Sequence, residues 1–308
     1  MNSLEAIKLV KLFGKIRAVD EVSFSVPDNK IFGLIGRNGA GKTTIIRMIM
    51  NILAPDSGEV FYKGEKTGEK FRSLVGYLPE ERGLYRKMKV MDTINFFAEV
   101  KGKSQNEVKS RAEYYLKKFD LYDRRLSKVD ELSKGNQQKV QFICTIIHNP
   151  DFIILDEPFS GLDPVNTELL KEIILELKSE GKIIILSTHL MDFAEKLCDD
   201  IVLINHGKVV LSGSLQSLKS RFAGDVAQLE TNDDVQFLVE SQFVDRVGRN
   251  GNQYSIRLKN REYSHDLLSE LVKREIQIQR FAVNDISLHD IFIRVAGNEN
   301  AKSDGGVK

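Results

Sequence analysis

Apolar positions along this chain follow two different periods. Near the N-terminus, AIKLVKLF, AVDEVSFSV and EVFYKGE alternate or run apolar with β-branched and aromatic residues, and each predicts a strand. KIFGLIG reads as a short buried strand running straight into a glycine-rich turn. KTTIIRMIMNIL follows with helical spacing, and Pro55-Asp56-Ser57-Gly58 is expected to stop it. From about Tyr85 to Asn149 the pattern is helical, as in VMDTINFFAEVKG and NEVKSRAEYYLKKFDL. Strand signals return in FIILDEP and KIIILSTH, with the helix PVNTELLKEIILELKSEG between them. Strands alternating with helices predict an α/β core, here carrying an inserted helical segment at residues 85–150 and reaching about Ser220.

The pattern loosens beyond that point. DVAQLE, a short helix, and FVDRVGRNGNQYSIRL come first, with Asn250-Gly251 as a hairpin turn signal. A helix near SHDLLSELVKRE, a strand IQIQRFAV and a short helix ISLHDIFIRV follow. Residues 221–297 therefore read as a small α+β domain, and the polar, glycine-rich residues 298–308 as a frayed tail.

Composition narrows the class. The 308 residues carry 45 basic and 44 acidic side chains, a net charge of +1, with no polybasic block, which argues against a nucleic-acid-coating surface. The two cysteines, Cys144 and Cys198, lie far apart in apolar-periodic context and read as buried thiols. MNSLEAIKLVKLFGK lacks an apolar secretory core, and no apolar run approaches the ~20 residues that span a bilayer. A cytoplasmic chain is expected, and any work at a membrane needs a partner.

Gly36-Arg37-Asn38-Gly39-Ala40-Gly41-Lys42-Thr43 fits the spacing G-x-x-x-x-G-K-[ST]. Glycines let the backbone curl so that its N–H groups converge on phosphate oxygens. Lys42 adds a cation, the Thr43 hydroxyl is placed for Mg²⁺, and Thr44 can donate to the α-phosphate. Asp156 and Glu157 end FIILDEP at the strand edge where α/β sheets bind ligands. Asp156 is placed to hold Mg²⁺ through water, and Glu157 to act as general base on an attacking water. His189 ends KIIILSTH on the same expected edge and is assigned to the γ-phosphate. His148, His206, His265 and His289 are read as surface or core residues.

A second anion cradle lies in LSKGNQQ. Ser133 and Gly135 stand at a helix start whose free N–H groups suit a phosphate. With one nucleotide already held at Gly36–Thr43, the economical arrangement is a head-to-tail pair in which each chain closes the other's nucleotide.

These motifs together resemble the ATP-binding subunit of an ABC (ATP-binding cassette) transporter over residues 1–220. GRNGAGKTT resembles the family's Walker A motif and FIILDEP its Walker B motif. LSKGN stands where the family has LSGGQ, SGLDP (Ser160–Pro164) matches the D-loop, and His189 matches the switch histidine. The resemblance implies a P-loop NTPase fold with a RecA-like core, an antiparallel β-subdomain and a helical subdomain. ATP and Mg²⁺ are the implied cofactors. It adds Arg37, Asn38, Ala40, Asn136 and Asp163 to the nucleotide-contacting set and makes Phe13 the residue that stacks on adenine. Glu80, in GYLPEERGLY, stands where the family has a glutamine. It keeps the capacity to ligate Mg²⁺ but loses the amide donor. In the signature, Lys134 replaces a Gly and Asn136 a Gln.

The implied partners are a second cassette, in a homo- or heterodimer, and an integral membrane permease, with the chain peripheral on the inner face of the cell membrane. ISLHDIFIRV resembles part of the accessory domain on exporter-type cassettes working with an ABC-2-type membrane subunit. An importer cassette is the alternative. A soluble cassette acting on ribosomes or DNA fits poorly, because there is one Walker A, one signature and no sustained heptad between Lys42 and Asp156.

Overall fold

The computed structural model describes residues 2–81, 83–223, 225–283 and 286–303. They form two compact units, Met1–Gly213 and Ser214–Lys308. The division falls before a helix at Leu215–Ala223, not at residue 220 as expected.

In the first unit, β1 (Asn2–Phe13) and β2 (Ile16–Pro27) make a long hairpin, and β3 (Ile31–Ile35) leads through the glycine-rich turn into α1 (Lys42–Ile49). The helix ends well before Pro55. Its stop is Asn51, which takes a left-handed φ of 50°, a conformation that asparagine tolerates better than most residues. β4 (Ser57–Tyr62) and β5 (Glu65–Lys66) form a second hairpin, followed by α2 (Glu69–Leu74) and β6 (Val75–Leu78). The helical segment holds α3 (Val90–Val100), α4 (Gln105–Lys118) and α5 (Lys134–Ile146). The core then resumes with β7 (Phe152–Asp156), α6 (Pro164–Ser179), β8 (Ile183–Thr188), α7 (Met191–Leu197), β9 (Asp200–Asn205) and β10 (Lys208–Ser214).

Two sheets result. One has the order β2-β1-β4-β5, with antiparallel neighbours. The other runs β10-β9-β3-β8-β7-β6, with β9, β3, β8, β7 and β6 parallel. Every residue of β3, β7, β8 and β9 is buried, which is why these strands read as unbroken apolar runs. Cys144 and Cys198 are buried free thiols, and burial pushes both up from their ordinary range.

The second unit opens with α8 (Leu215–Ala223) and continues through β11 (Val226–Glu230), β12 (Val244–Asn250), β13 (Gln253–Leu258), α9 (Ser264–Lys273), β14 (Arg280–Val283) and α10 (Leu288–Ser303). The strand order is β12-β13-β11-β14, with antiparallel neighbours. With a 3-10 turn at Gln236–Glu240 in place of a first helix, this is a ferredoxin-like βαββαβ arrangement. Alternation puts Ala227, Leu229, Tyr254, Ile256 and Leu258 on the face that packs against Leu267 and Leu271 of α9.

Three expectations shift here. Asn250 stays in the ladder opposite Gln253, so the hairpin loop is Gly251-Asn252, with Gly251 at φ 63° in the first turn position. The strand expected at IQIQRFAV is only Arg280–Val283. Ile276 and Ile278 pack on the core from outside it. α10 continues to Ser303, past residue 298 where a frayed tail was expected, while 304–308 lie outside the described residues.

Leu271 is fully buried in the second unit's core. Leu271→Ala is expected to destabilise that unit by about 2–5 kcal/mol, read as a lowered denaturation midpoint, with nucleotide binding retained.

Candidate functional site

Parallel register gathers the site at one sheet edge. Ile35 lies opposite Thr188, Asp156 opposite Ser187, and Leu78 opposite Leu155. The residues that follow each strand, Gly36, His189, Glu157 and Glu80, therefore emerge side by side at the carboxyl ends.

The loop after β3 is shaped by close approach and positive φ. Gly41 has φ 107°, and a Cβ there would stand 2.6 Å from the Ala18 carbonyl oxygen. A Cβ on Gly36 would stand 2.3 Å from the Ile204 carbonyl oxygen. Gly39, at φ 78°, faces open space. Both close approaches come from flanking strands, β2 and β9, so neither glycine has room for a side chain. Ala40 N–H donates to Arg37 at 3.1 Å and Gly207 N–H to Ala40 at 3.0 Å, which closes the curl. α1 then starts at Lys42 with Gly41 as its N-cap and no side-chain cap, so its first N–H groups are left for a ligand. Thr43 and Thr44 sit in that first turn, half-buried, while Arg37, Asn38 and Gly39 are exposed.

Lys42 is buried and its ammonium donates to the Gly36 carbonyl at 2.8 Å and the Arg37 carbonyl at 3.3 Å. It also lies 3.4 Å from Glu157 Oε1. Glu157 is 6% exposed. Its Oε1 meets His189 Nδ1 at 2.9 Å, and its Oε2 accepts from Thr188 Oγ1 at 3.3 Å. Glu157 takes a left-handed φ of 49°, a conformation that persists in a residue with a Cβ only where its surroundings impose it. Here its N–H donates to Ser187 O and its carbonyl accepts from Ser160 N–H.

Asp156 is wholly buried, and among the described residues neither carboxylate oxygen has a hydrogen-bond partner; Ser187 Oγ beside it has none either. Burial raises its pKa from the ordinary 3.8. The nearby Ser187 and Thr43 hydroxyls oppose that rise without cancelling it, and the charges of Glu80 and Glu157 add to it. A dry, unpartnered carboxylate beside a threonine hydroxyl and a second acid suits a hard cation. Among the described residues no trio of His, Cys, Asp or Glu is grouped to hold a metal. An ion here would share its coordination with Thr43 and phosphate oxygens. Glu80 is exposed at the end of β6.

The remaining expected residues lie apart from this cluster. Ser133 caps α5, its hydroxyl accepting from Asn136 N–H at 3.3 Å. Gly135 faces Gly161 O of the SGLDP loop across 3.5 Å from its notional Cβ. Asp163 caps α6 by accepting from Asn166 N–H, which lowers its pKa. Among the described residues, no hydrogen bond or ion pair joins Ser133, Gly135 or Asn136 to Gly36–Thr44. Phe13, at the tip of the β1–β2 hairpin, is 49% exposed with Lys11 Nζ 6.0 Å from its ring centre. Lys11 is itself tied to Ala54 O and Asp56.

The tertiary structure adds residues that the motifs do not name. Thr188 and Ser187 line the edge beside the carboxylates. Tyr77 on β6 has its hydroxyl pushed up to about 12, by burial first and then by the Asp156 charge, against the lowering effect of Arg47. Gln138 and Gln141 of α5 bond to Pro158 O and to the loop after β6. The apolar-polar pattern carries no sign of these, because each acts through a neighbour distant in the chain.

Residues 19–160 match the ABC transporter family, and residues 213–296 match the C-terminal domain of DrrA1-3-like ATP-binding proteins. The ABC transporter ATP-binding protein YhaQ of Bacillus subtilis is 40% identical over 289 residues, covering 94% of this chain and 97% of that protein. The chain belongs to the ABC transporter ATP-binding family. It is an ATPase cassette with a DrrA-like C-terminal domain. The linearmycin resistance ATP-binding protein LnrL of the same organism is 29% identical to this cassette protein over 305 residues, 96% of this chain and 98% of its own. A solved ATP-binding subunit of an ABC transporter superposes with a TM-score of 0.67 at 33% identity, over 71% of this chain and 92% of its own.

The raised pKa of Asp156 gives a stability prediction. Its ionised form is disfavoured by folding, so the penalty is absent below the unfolded value of 3.8 and fully present above the raised folded value. Asp156→Asn is expected to raise the melting temperature of the nucleotide-free cassette at pH 7, by about 2–4 °C for each kcal/mol relieved. That gain should shrink as pH falls towards 3.8.

Proposed function

We propose that this cassette is the ATP-hydrolysing subunit of an exporter, dimerising head to tail around two ATP molecules and driving a separate membrane permease. The observation that carries the catalytic part is the Glu157 carboxylate, held between Lys42 at 3.4 Å and His189 at 2.9 Å on the sheet edge. ATP binding exchanges the Gly36 and Arg37 carbonyls on Lys42 for β- and γ-phosphate oxygens. The N–H groups of Gly36–Thr44 cradle those phosphates, and Phe13 stacks on adenine.

Thr43, Glu80 and Asp156 would hold Mg²⁺, which when bound would supply neutralising charge at the phosphates. Phosphoryl transfer is mostly positioning and electrostatics. Glu157 orients the attacking water and takes its proton. His189, tied through Nδ1 to Glu157 Oε1 at 2.9 Å, holds its ring beside the γ-phosphate site with Nε2 left for a phosphate oxygen.

Among the described residues, Ser133, Gly135 and Asn136 have no hydrogen bond to their own chain's nucleotide loop, which supports their acting on the nucleotide of a second copy or a related cassette. The exposed Asp163 loop would lie at the same interface. A cleft of about 710 Å³, lined by Glu80, Leu84, Arg86, Lys134 and Gln137 among others, opens beside the loop after β6. Tyr85, exposed and packed edge-on against Phe96, stands on the same segment. These surfaces support docking of a permease segment, with the cassette peripheral on the inner face of the membrane. The linearmycin resistance role of LnrL, similar to this chain across both units, favours export over import.

Glu157→Gln is expected to lower kcat roughly 10²–10⁴-fold while retaining ATP binding, and to trap an ATP-dependent dimer visible by light scattering. Adding Ser133→Ala should weaken that dimer. Normal hydrolysis by Glu157→Gln would overturn the general-base role. A monomer with ATP bound would overturn the shared site.

A further inference from the structure

Gln141 lies one turn beyond the signature, on a helix whose start is assigned to a phosphate, yet it bonds to neither phosphate motif. It is 5% exposed. Its side-chain amide donates to the Pro79 carbonyl at 3.3 Å and to the Glu81 carbonyl at 3.2 Å. An amide nitrogen has two hydrogens, and here both are spent on the two carbonyls that bracket Glu80. The cost is visible on the other atom, since Gln141 Oε1 is buried with no hydrogen-bond partner among the described residues. An apolar side chain of similar length would fill the space without that orphan acceptor, so the site keeps glutamine for its donors.

The neighbouring turns support the same role. Gln138 Nε2 donates to Pro158 O, immediately after Glu157, and Thr145 Oγ1 reaches Tyr77 O at 3.4 Å. Positions 138, 141 and 145 share one helix face. That face therefore grips the chain just past both acid-bearing strand ends, β7 and β6. Glu80 is exposed, on the loop that these two donors bracket.

We infer that Gln141 is a positioning residue: by clamping the carbonyls on either side of Glu80 it aims that carboxylate at the Mg²⁺ of the chain's own nucleotide and ties that aim to the signature helix. The inference rests on the reading of Glu80 as a metal ligand, and it adds a reason why a carboxylate can work in a loop position of that kind. A side chain with one flexible acid needs its backbone fixed more firmly than an amide that can also donate.

The test is equilibrium binding of a fluorescent ATP analogue to the full-length chain, titrated with Mg²⁺ and repeated in EDTA. Gln141→Met keeps the length and removes both donors. It is expected to raise the Mg²⁺ concentration for half-maximal tightening roughly 5–20-fold, with affinity in EDTA changed less than twofold. Glu80→Ala should produce a similar shift, and Gln141→Met added to it should produce little more, since the two act as a unit. Gln141→Asn, too short to reach both carbonyls, gives the same readout if the methionine variant fails to fold. Wild-type Mg²⁺ dependence in the folded Gln141 variants, with Glu80→Ala shifted, overturns the clamp alone. Wild-type dependence in Glu80→Ala as well overturns the metal-ligand reading and the clamp with it.

Discussion

Everything at this site depends on the backbone turn that carries Glu157. β7 delivers Asp156 into the dry interior, and the next residue reverses into the left-handed region at φ 49°. For a residue with a Cβ that conformation costs roughly 1–2 kcal/mol. It is sustained by Ser187 O on one side and Ser160 N–H on the other. The reversal points two successive carboxylates in different directions: Asp156 inward with no protein partner, Glu157 outward to Lys42, Thr188 and His189.

The parallel sheet supplies the partners for that turn. β3, β8, β7 and β6 end level with one another, so a loop, a histidine, two acids and Glu80 converge although they are far apart in the chain. The helical segment reaches the same edge through α5. Its first residues, capped by Ser133, make no hydrogen bond to their own chain's phosphate loop among the described residues. Its second turn grips Pro158 O, Pro79 O and Glu81 O.

Much of this was legible as pattern. The buried strands stood out because strands covered on both faces read as apolar runs, and KIFGLIG, FIILDEP and KIIILSTH all became strands of the parallel sheet. The glycines of Gly36–Gly41 were legible because their spacing with Lys42 and Thr43 is tied to phosphate geometry. β6 was not: VGYL is too short to carry a period, so Glu80 had a motif position but no strand to end. Thr188, Tyr77 and Gln141 were equally silent, being ordinary polar residues whose partners are set by packing. The ends of α1 and β14, and the hairpin turn at Gly251-Asn252, shifted by a few residues because φ at single positions decides where an element stops.

By itself the sequence determined the chemistry on offer: a phosphate loop, two acids, a histidine and a capped helix start, each encoded by short-range spacing that local backbone geometry requires. Which of these meet was decided by tertiary structure alone. Strand register placed Glu157 between Lys42 and His189 and left Asp156 dry. Helix packing set Gln141 across the backbone on both sides of Glu80. Such contacts depend on distances between residues remote in sequence, which no local period records.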